Sequence, residues 1–343
     1  MKGFMGCCAA LILMLCLTGC TNSALGDRVM VKAIYLEHEE TFEARLLVLQ
    51  SAPSADTGQV SEQARYLKGS GDTVYAALQS AEQSENRSLF YGQNELLLLG
   101  PKLARQGAFE ACRYMAGETS GRPNMAVYGL DIGPDAFEAM QQKGTDFLSS
   151  VQQLEKHALY RTYLYQFAQP EQNGVIPMLS VRENAASPAG LTLYENGSPA
   201  ASWQGAQAQL AALLAGQANA LELELPSLPV SFQVRSPKLA FEPGLAKGGL
   251  QLTIRFSGAI QKLTGPQGAA VPGQTGELEQ AIDREITRLL AGLAADTLGR
   301  GNDVFHLGSY FANYSEPAYR AMQADGRLGQ ARRVKFVCRL RMV

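Results

Sequence analysis

The chain has 343 residues, 46% of them hydrophobic and 18% charged, with 34 Gly and 15 Pro. Such a composition can bury a core and excludes a disordered chain, and the length suits two or three ordinary domains better than one. Its 30 basic and 32 acidic residues leave a net charge of −2, with no basic run long enough to follow a nucleic-acid backbone, so no nucleic-acid partner is expected.

The first element is an address. Lys2 precedes an uncharged, mostly apolar stretch from Phe4 to Leu17. It is shorter than the roughly 20 residues that a membrane-spanning helix needs, and reads as a signal-peptide core. It ends in Leu17-Thr18-Gly19-Cys20, the form of a bacterial lipobox: small residues at a cleavage point, then a Cys whose thiol takes a diacylglycerol. The expectation is a lipoprotein signal peptide over 1–19, lipidation at Cys20, and a chain anchored to a membrane outside the cytoplasm. Cys7, Cys8 and Cys16 leave with the signal, so Cys112 and Cys338 are the thiols that remain. No zinc spacing survives. Both sit in apolar patterns and read as buried small hydrophobes, with a disulfide between them left open.

Between Arg28 and Gln50 two strand-like runs flank the polar turn Glu37-His38-Glu39-Glu40, a predicted hairpin. A short strand near Tyr66 follows, then a helix from Asp72 with Val74, Ala77, Leu78 and Ala81 on one face, and a strand from Glu95 to Leu99. Pro101 opens a helix carrying Leu103, Phe109 and Cys112, Met125 to Leu130 is another strand, and Pro134 opens a helical region reaching about His157. This alternation predicts an α/β layer over 20–160, its strand Leu96–Leu99 apolar on both faces as a covered sheet requires.

Asn173-Gly174 and Asn196-Gly197 each stand between strand-like runs and predict two tight hairpins in a small antiparallel sheet. Trp203, a helix-like Ala206 to Leu214 and a strand from Ala220 to Leu225 complete a small middle domain over 161–226, which closes at Pro226-Ser227-Leu228-Pro229. In 227–343, Leu250, Leu252, Ile254 and Phe256 alternate with polar residues. After a Gly/Pro-rich loop from Thr264 to Gly276 comes a long amphipathic helix with Leu278, Ile282, Ile286, Leu289, Leu290 and Leu293 in one stripe, opposite Asp283, Arg284 and Arg288. The last strand sets Val334, Phe336, Cys338, Leu340 and Met342 against Arg333, Lys335, Arg339 and Arg341. The fold expected is mixed, α+β and α/β, in three domains behind the signal peptide.

Chemistry is sparse. His38, His157 and His306 fall in three different regions without a second ligand at helical spacing, so no catalytic or metal-bound histidine is expected. The G-x-S-x-G and Ser-x-x-Lys patterns and a Walker loop are all missing. Gly69-Ser70-Gly71 resembles the start of a dinucleotide loop, but Val74 replaces the third Gly and Asp72 stands where a phosphate would dock. It reads as a turn with Asp72 capping the helix, and no cofactor is expected. The outer basic face of the last strand reads as solvated, with an anionic partner or lipid headgroups as the other reading.

Four stretches resemble the Ger(x)C family, the lipoprotein C subunits of spore nutrient-germinant receptors. They are Gly71-Asp72-Thr73-Val74-Tyr75-Ala76-Ala77-Leu78, Leu89-Phe90-Tyr91-Gly92, Glu95-Leu96-Leu97-Leu98-Leu99-Gly100 and Leu103-Ala104-Arg105-Gln106-Gly107. The resemblance resumes at Leu191 to Trp203, in the long helix, at Asn302-Asp303-Val304-Phe305-His306-Leu307-Gly308-Ser309-Tyr310-Phe311, and in the closing basic strand. It implies three α/β domains, no catalytic residues, and action with two membrane proteins, the A and B subunits, at the spore inner membrane. A solute-binding lipoprotein of a transporter is the alternative from another class. It shares the anchor, but its two long parallel lobes need more α/β units than this chain offers. A lipoprotein hydrolase lacks every nucleophile pattern above.

Overall fold

The computed structural model describes residues 29–53, 60–117, 122–142, 147–156, 160–167, 173–182, 185–218, 220–225, 227–246, 249–265, 275–324 and 334–342. Cys20, His157, Arg333 and Pro226 lie outside them. Among the described residues the strands form two sheets, one of nine strands and one of four.

The larger sheet begins with the expected hairpin, β1 (Val29–His38) antiparallel to β2 (Phe42–Pro53), and β3 (Val60–Gly71) adds to β2 along its whole length. On the other side of β1 the pairing turns parallel through β5 (Leu96–Leu99) and β6 (Ala126–Leu130), while the short β4 (Leu89–Phe90) extends beside the start of β1. Leu97 and Leu99 enter one core and Leu96 and Leu98 the other, the two-sided burial that an all-apolar strand encodes. Helices α1 (Val74–Gln83), α2 (Pro101–Gln106) and α3 (Ala108–Gly117) cover the first face. The single helical region expected after Pro134 is two helices, α4 (Pro134–Gln142) and α5 (Phe147–Lys156), whose Phe137, Met140, Phe147 and Val151 cover the second face.

Residues 161–226, expected to hold a small sheet of their own, divide between the two sheets. β7 (Gly174–Arg182) runs parallel to β6 through Gly129↔Met178 and Leu130↔Leu179, and β8 (Ala185–Glu195) and β9 (Ser198–Trp203) extend the first sheet antiparallel. Asn196 and Gly197, at φ 51° and 78°, make the predicted tight turn between β8 and β9. Asn173-Gly174 is not a hairpin turn. Gly174 opens β7, and the Asn173 Oδ1 accepts from the Asn196 N–H at 3.0 Å, bracing the turn that does form. Helix α6 (Gly205–Leu214) and β10 (Ala220–Glu224) belong instead to the core of the second sheet.

That sheet runs β10, β11 (Ser231–Ala246), β12 (Gly249–Thr264), β13 (Val334–Met342), with β13 parallel to β12. Leu250, Leu252, Ile254 and Phe256 are buried as their alternation requires. The stripe of α7 (Thr275–Asp296) shares their core, with Ile282, Ile286, Leu290 and Leu293 fully enclosed. One residue departs from the expected helix faces: Asp283 does not point to solvent, since its Oδ1 accepts from the Leu340 N–H at 3.0 Å. Glu279 likewise accepts from the Met342 N–H at 2.7 Å. At the opposite edge Gln209 of α6 holds both the N–H and the C=O of Glu222 in β10. Both edge strands therefore have backbone groups occupied by helix side chains, which blocks edge-to-edge pairing with another chain.

The two sheets share contacts through Trp203. Its indole lies in the second core with Leu191 and Leu193, stacks on Phe305 at 5.9 Å between ring centres, and donates from Nε1 to Asp296 Oδ2 at 2.9 Å. A buried Trp that places its single donor on a carboxylate carries a large apolar contact without an unmet polar group.

Candidate functional site

The two described histidines stand in different parts of the fold. His38 ends β1 and stacks on Phe42 at 4.3 Å, while His306 is exposed in a left-handed backbone conformation at φ 54° before helix α8 (Gly308–Tyr314). Among the described residues there is no group of three or more His, Cys, Asp or Glu that could hold a metal ion. Cys112 and Cys338 are buried free thiols in two different cores. Burial pushes both thiols up, Cys338 also through the nearby Asp283 carboxylate, so neither is poised as a thiolate nucleophile.

The Gly69-Ser70-Gly71 segment is the end of β3 rather than a phosphate loop. A Cβ on Gly69 would run into the backbone of Ala77 and Ala81 of α1, so the glycine serves close strand-to-helix packing. Thr73, and not Asp72, is the N-cap: its Oγ1 accepts from the Ala76 N–H at 3.1 Å.

Two carboxylates that sequence patterning did not single out anchor helix ends. Glu37, read as part of a polar turn, is 2% exposed. Its carboxylate accepts from the N–H of Leu103 at 2.7 Å, Lys102 at 3.4 Å and His38 at 2.9 Å. It supplies the acceptor that Gly100, the side-chain-free N-cap before Pro101, lacks. That missing acceptor in Gly100-Pro101 is the signal the sequence carried. Beside it, Tyr35 donates to the Ile132 carbonyl at 2.9 Å, and burial, helped by the Glu37 charge, pushes its phenol up. Asp303, within the Asn302–Phe311 motif, accepts from the N–H of Leu307 at 2.7 Å and Gly308 at 2.6 Å. Burial raises its carboxyl against the pull of those two bonds. A Cβ on Gly308 would stand 2.7 Å from Asp303 Oδ2, so the motif is a compact turn into α8.

What these groups can do is hold shape; the surfaces left to meet partners are open ones. A shallow polar groove along β10 is lined by Gln209, Glu222, Glu224, Gln233 and Lys262. Tyr75 and Tyr165 stand more than half exposed, the latter stacked on Tyr163 at 5.8 Å. On the outer face of the four-stranded sheet the described residues are exposed or half-buried, alternating with the buried ones. Among the described residues no helix is long and apolar enough to cross a membrane.

Comparison with known proteins points to one family. No curated protein matches the chain. The chain is similar to a solved structure described as the crystal structure of the GerBC protein, at a TM-score of 0.52 and 11% identity, over 90% of this chain and 96% of that one. At that identity the likeness concerns the fold, and the mixed α+β architecture is shared. Residues 23–181 match the family model described as the spore germination protein N-terminal domain. That stretch therefore belongs to the spore germination protein N-terminal domain family, in agreement with the Ger(x)C resemblance that the sequence motifs carry.

Proposed function

We propose that this chain is a non-catalytic, lipid-anchored C-type subunit of a spore germinant receptor, working with A and B membrane subunits in nutrient-triggered germination. The observation that carries the reading is the family match to a spore germination domain over 23–181. Its start lies just past Cys20, where a lipobox has to stand if the domain is to follow the anchor directly. The fold likeness to the GerBC protein over most of the chain supports the same reading. Diacylglycerol brings two acyl chains, enough for stable residence where one chain is marginal. The lipid would hold the chain on the outer face of the cytoplasmic membrane, the spore inner membrane, where polytopic partners sit. A protein without a reacting site acts there by binding, and so by shifting a partner's conformational equilibrium.

Intact mass spectrometry of the membrane-extracted protein tests the anchor. The expected species begins at Cys20 and carries diacylglycerol, and Cys20→Ala releases or mislocalises the chain. An unmodified Cys20 would overturn the anchor. Co-purification from detergent tests the partners: an A-type or B-type polytopic subunit is expected, whereas a transport permease would favour a solute-binding lipoprotein.

A further inference from the structure

The open face of the four-stranded sheet is basic in a chain that is acidic overall. Alternation along the strands puts Arg235 and Lys238 of β11, Arg255 of β12, and Lys335, Arg339 and Arg341 of β13 on this face. The register then sets them in rows. Arg235 and Arg341 flank Ala259, and Lys238 and Arg339 flank Ser257. With strands about 4.8 Å apart, the two cations of each row stand about 10 Å apart across a small residue. Arg255 is paired with Glu242 and Arg341 with Glu279. Arg235, Lys238, Lys335 and Arg339 make no ion pair with any described residue.

Like charges stand about 10 Å apart across these rows, and four of the six cations have no ion pair among the described residues, so their mutual repulsion is one that an anionic surface would offset. The face has no aromatic side chain among the described residues: besides the cations it presents Glu242, which pairs with Arg255, Glu222 and Glu224 at its β10 edge, and the neutral Gln233, Ala240, Thr253, Ser257, Ala259, Gln261 and Val337. Protein interfaces concentrate their energy in aromatic and Arg anchors seated in pockets, whereas a flat polar face with spaced cations matches a plane of lipid phosphates. From Cys20 to Val29 is nine residues, at most about 30 Å of chain, so an anchored molecule has its body within reach of the headgroups.

We propose that this sheet face lies on an anionic bilayer surface, with Lys238, Lys335, Arg339 and Arg235 binding lipid phosphates. It takes from the functional reading only the membrane's nearness.

The test uses the full chain carrying Cys20→Ala, floated with vesicles of phosphatidylcholine alone or mixed with phosphatidylglycerol. The ratio of anionic to neutral binding is the readout, so any contribution of the apolar N-terminal stretch cancels. Preference for anionic vesicles is expected, and it should vanish in about 1 M salt, where the screening length falls to about 3 Å. Each cation near such a surface strengthens binding about five-fold. Lys238→Glu, Lys335→Glu and Arg339→Glu combined should therefore lower the ratio by about 100-fold or more, and the corresponding Gln variant should act in the same direction should the reversal unfold the sheet. Arg105→Glu, Arg113→Glu and Arg182→Glu, exposed on other elements, change net charge equally and should leave the ratio unchanged. Equal binding to both vesicles, or equal loss in the control, overturns the proposal. So does a sheet-face variant that binds vesicles normally yet fails in germination, which would assign the face to an acidic protein partner. Since Cys20→Ala carries no lipid, failure here leaves the anchor standing.

Discussion

Glu37 shows how a single buried carboxylate can organise two elements. It joins the end of β1 to the start of α2 by accepting three backbone N–H groups, and removing it leaves buried donors without an acceptor. Glu37→Ala should cost about 1–3 kcal/mol, read as a lowered urea midpoint with unchanged slope; an unaltered midpoint would mean water serves those donors equally well. Glu285 makes a pH-dependent contribution of known sign. Its side chain is buried, and the Arg288 guanidinium, donating to it at 2.8 and 2.7 Å, holds its carboxyl below the usual range. The depressed folded value means stability that is complete above the unfolded carboxylate pKa, near 4.3, and lost as the pH falls through the folded one. Asp303, raised by burial, runs the opposite way. Arg288→Ala should lower stability at neutral pH and flatten the loss between about pH 5 and 3; the same acid slope in both proteins would show that the pair contributes nothing. Glu37 and Asp303 were not legible from patterning, because each accepts from backbone N–H groups that only the folded chain brings together.

Elements whose partners are close in sequence, or whose periodicity fixes a face, were legible: the β1–β2 hairpin, the two-faced Leu96–Leu99 strand, the stripe of α7 and the alternation of β13. β11 was not. Pro237, Pro243 and Gly244 interrupt it, and beyond Val234 its residues are exposed or half-buried, so a 16-residue strand carries little core signal. The joining of β7 to β6 rests on two residue pairs about fifty positions apart, which no local pattern encodes. β13 shows what one edge strand contributes. Phe336, Cys338 and Leu340 close the core under α7, and Asp283 and Glu279 accept from its outer N–H groups. Truncation before Val334 removes these side chains at once. At roughly 2–5 kcal/mol for each large one, the loss is comparable with the 5–15 kcal/mol that holds a typical domain. The truncated chain should be degraded or misfolded; normal accumulation with an unchanged melting transition would show the strand to be peripheral.

Across the whole molecule the conclusions rest on different kinds of information. The fold follows from sheet pairing and two-sided burial. The family is carried by the match over 23–181, and the motifs that pointed to it prove structural where they are described: Thr73 caps α1, Leu96–Leu99 is the central strand, and Asp303 turns the chain into α8. The family was legible through those motifs, while the described polar side chains of Glu37, Thr73 and Asp303 are engaged in helix caps and turns that only the structure reveals. The most direct measurement is germination of spores lacking this chain, exposed to single nutrients and, separately, to a trigger that bypasses receptors. The account predicts a weakened response to one nutrient class with the bypass response intact. Normal germination with every nutrient would contradict it.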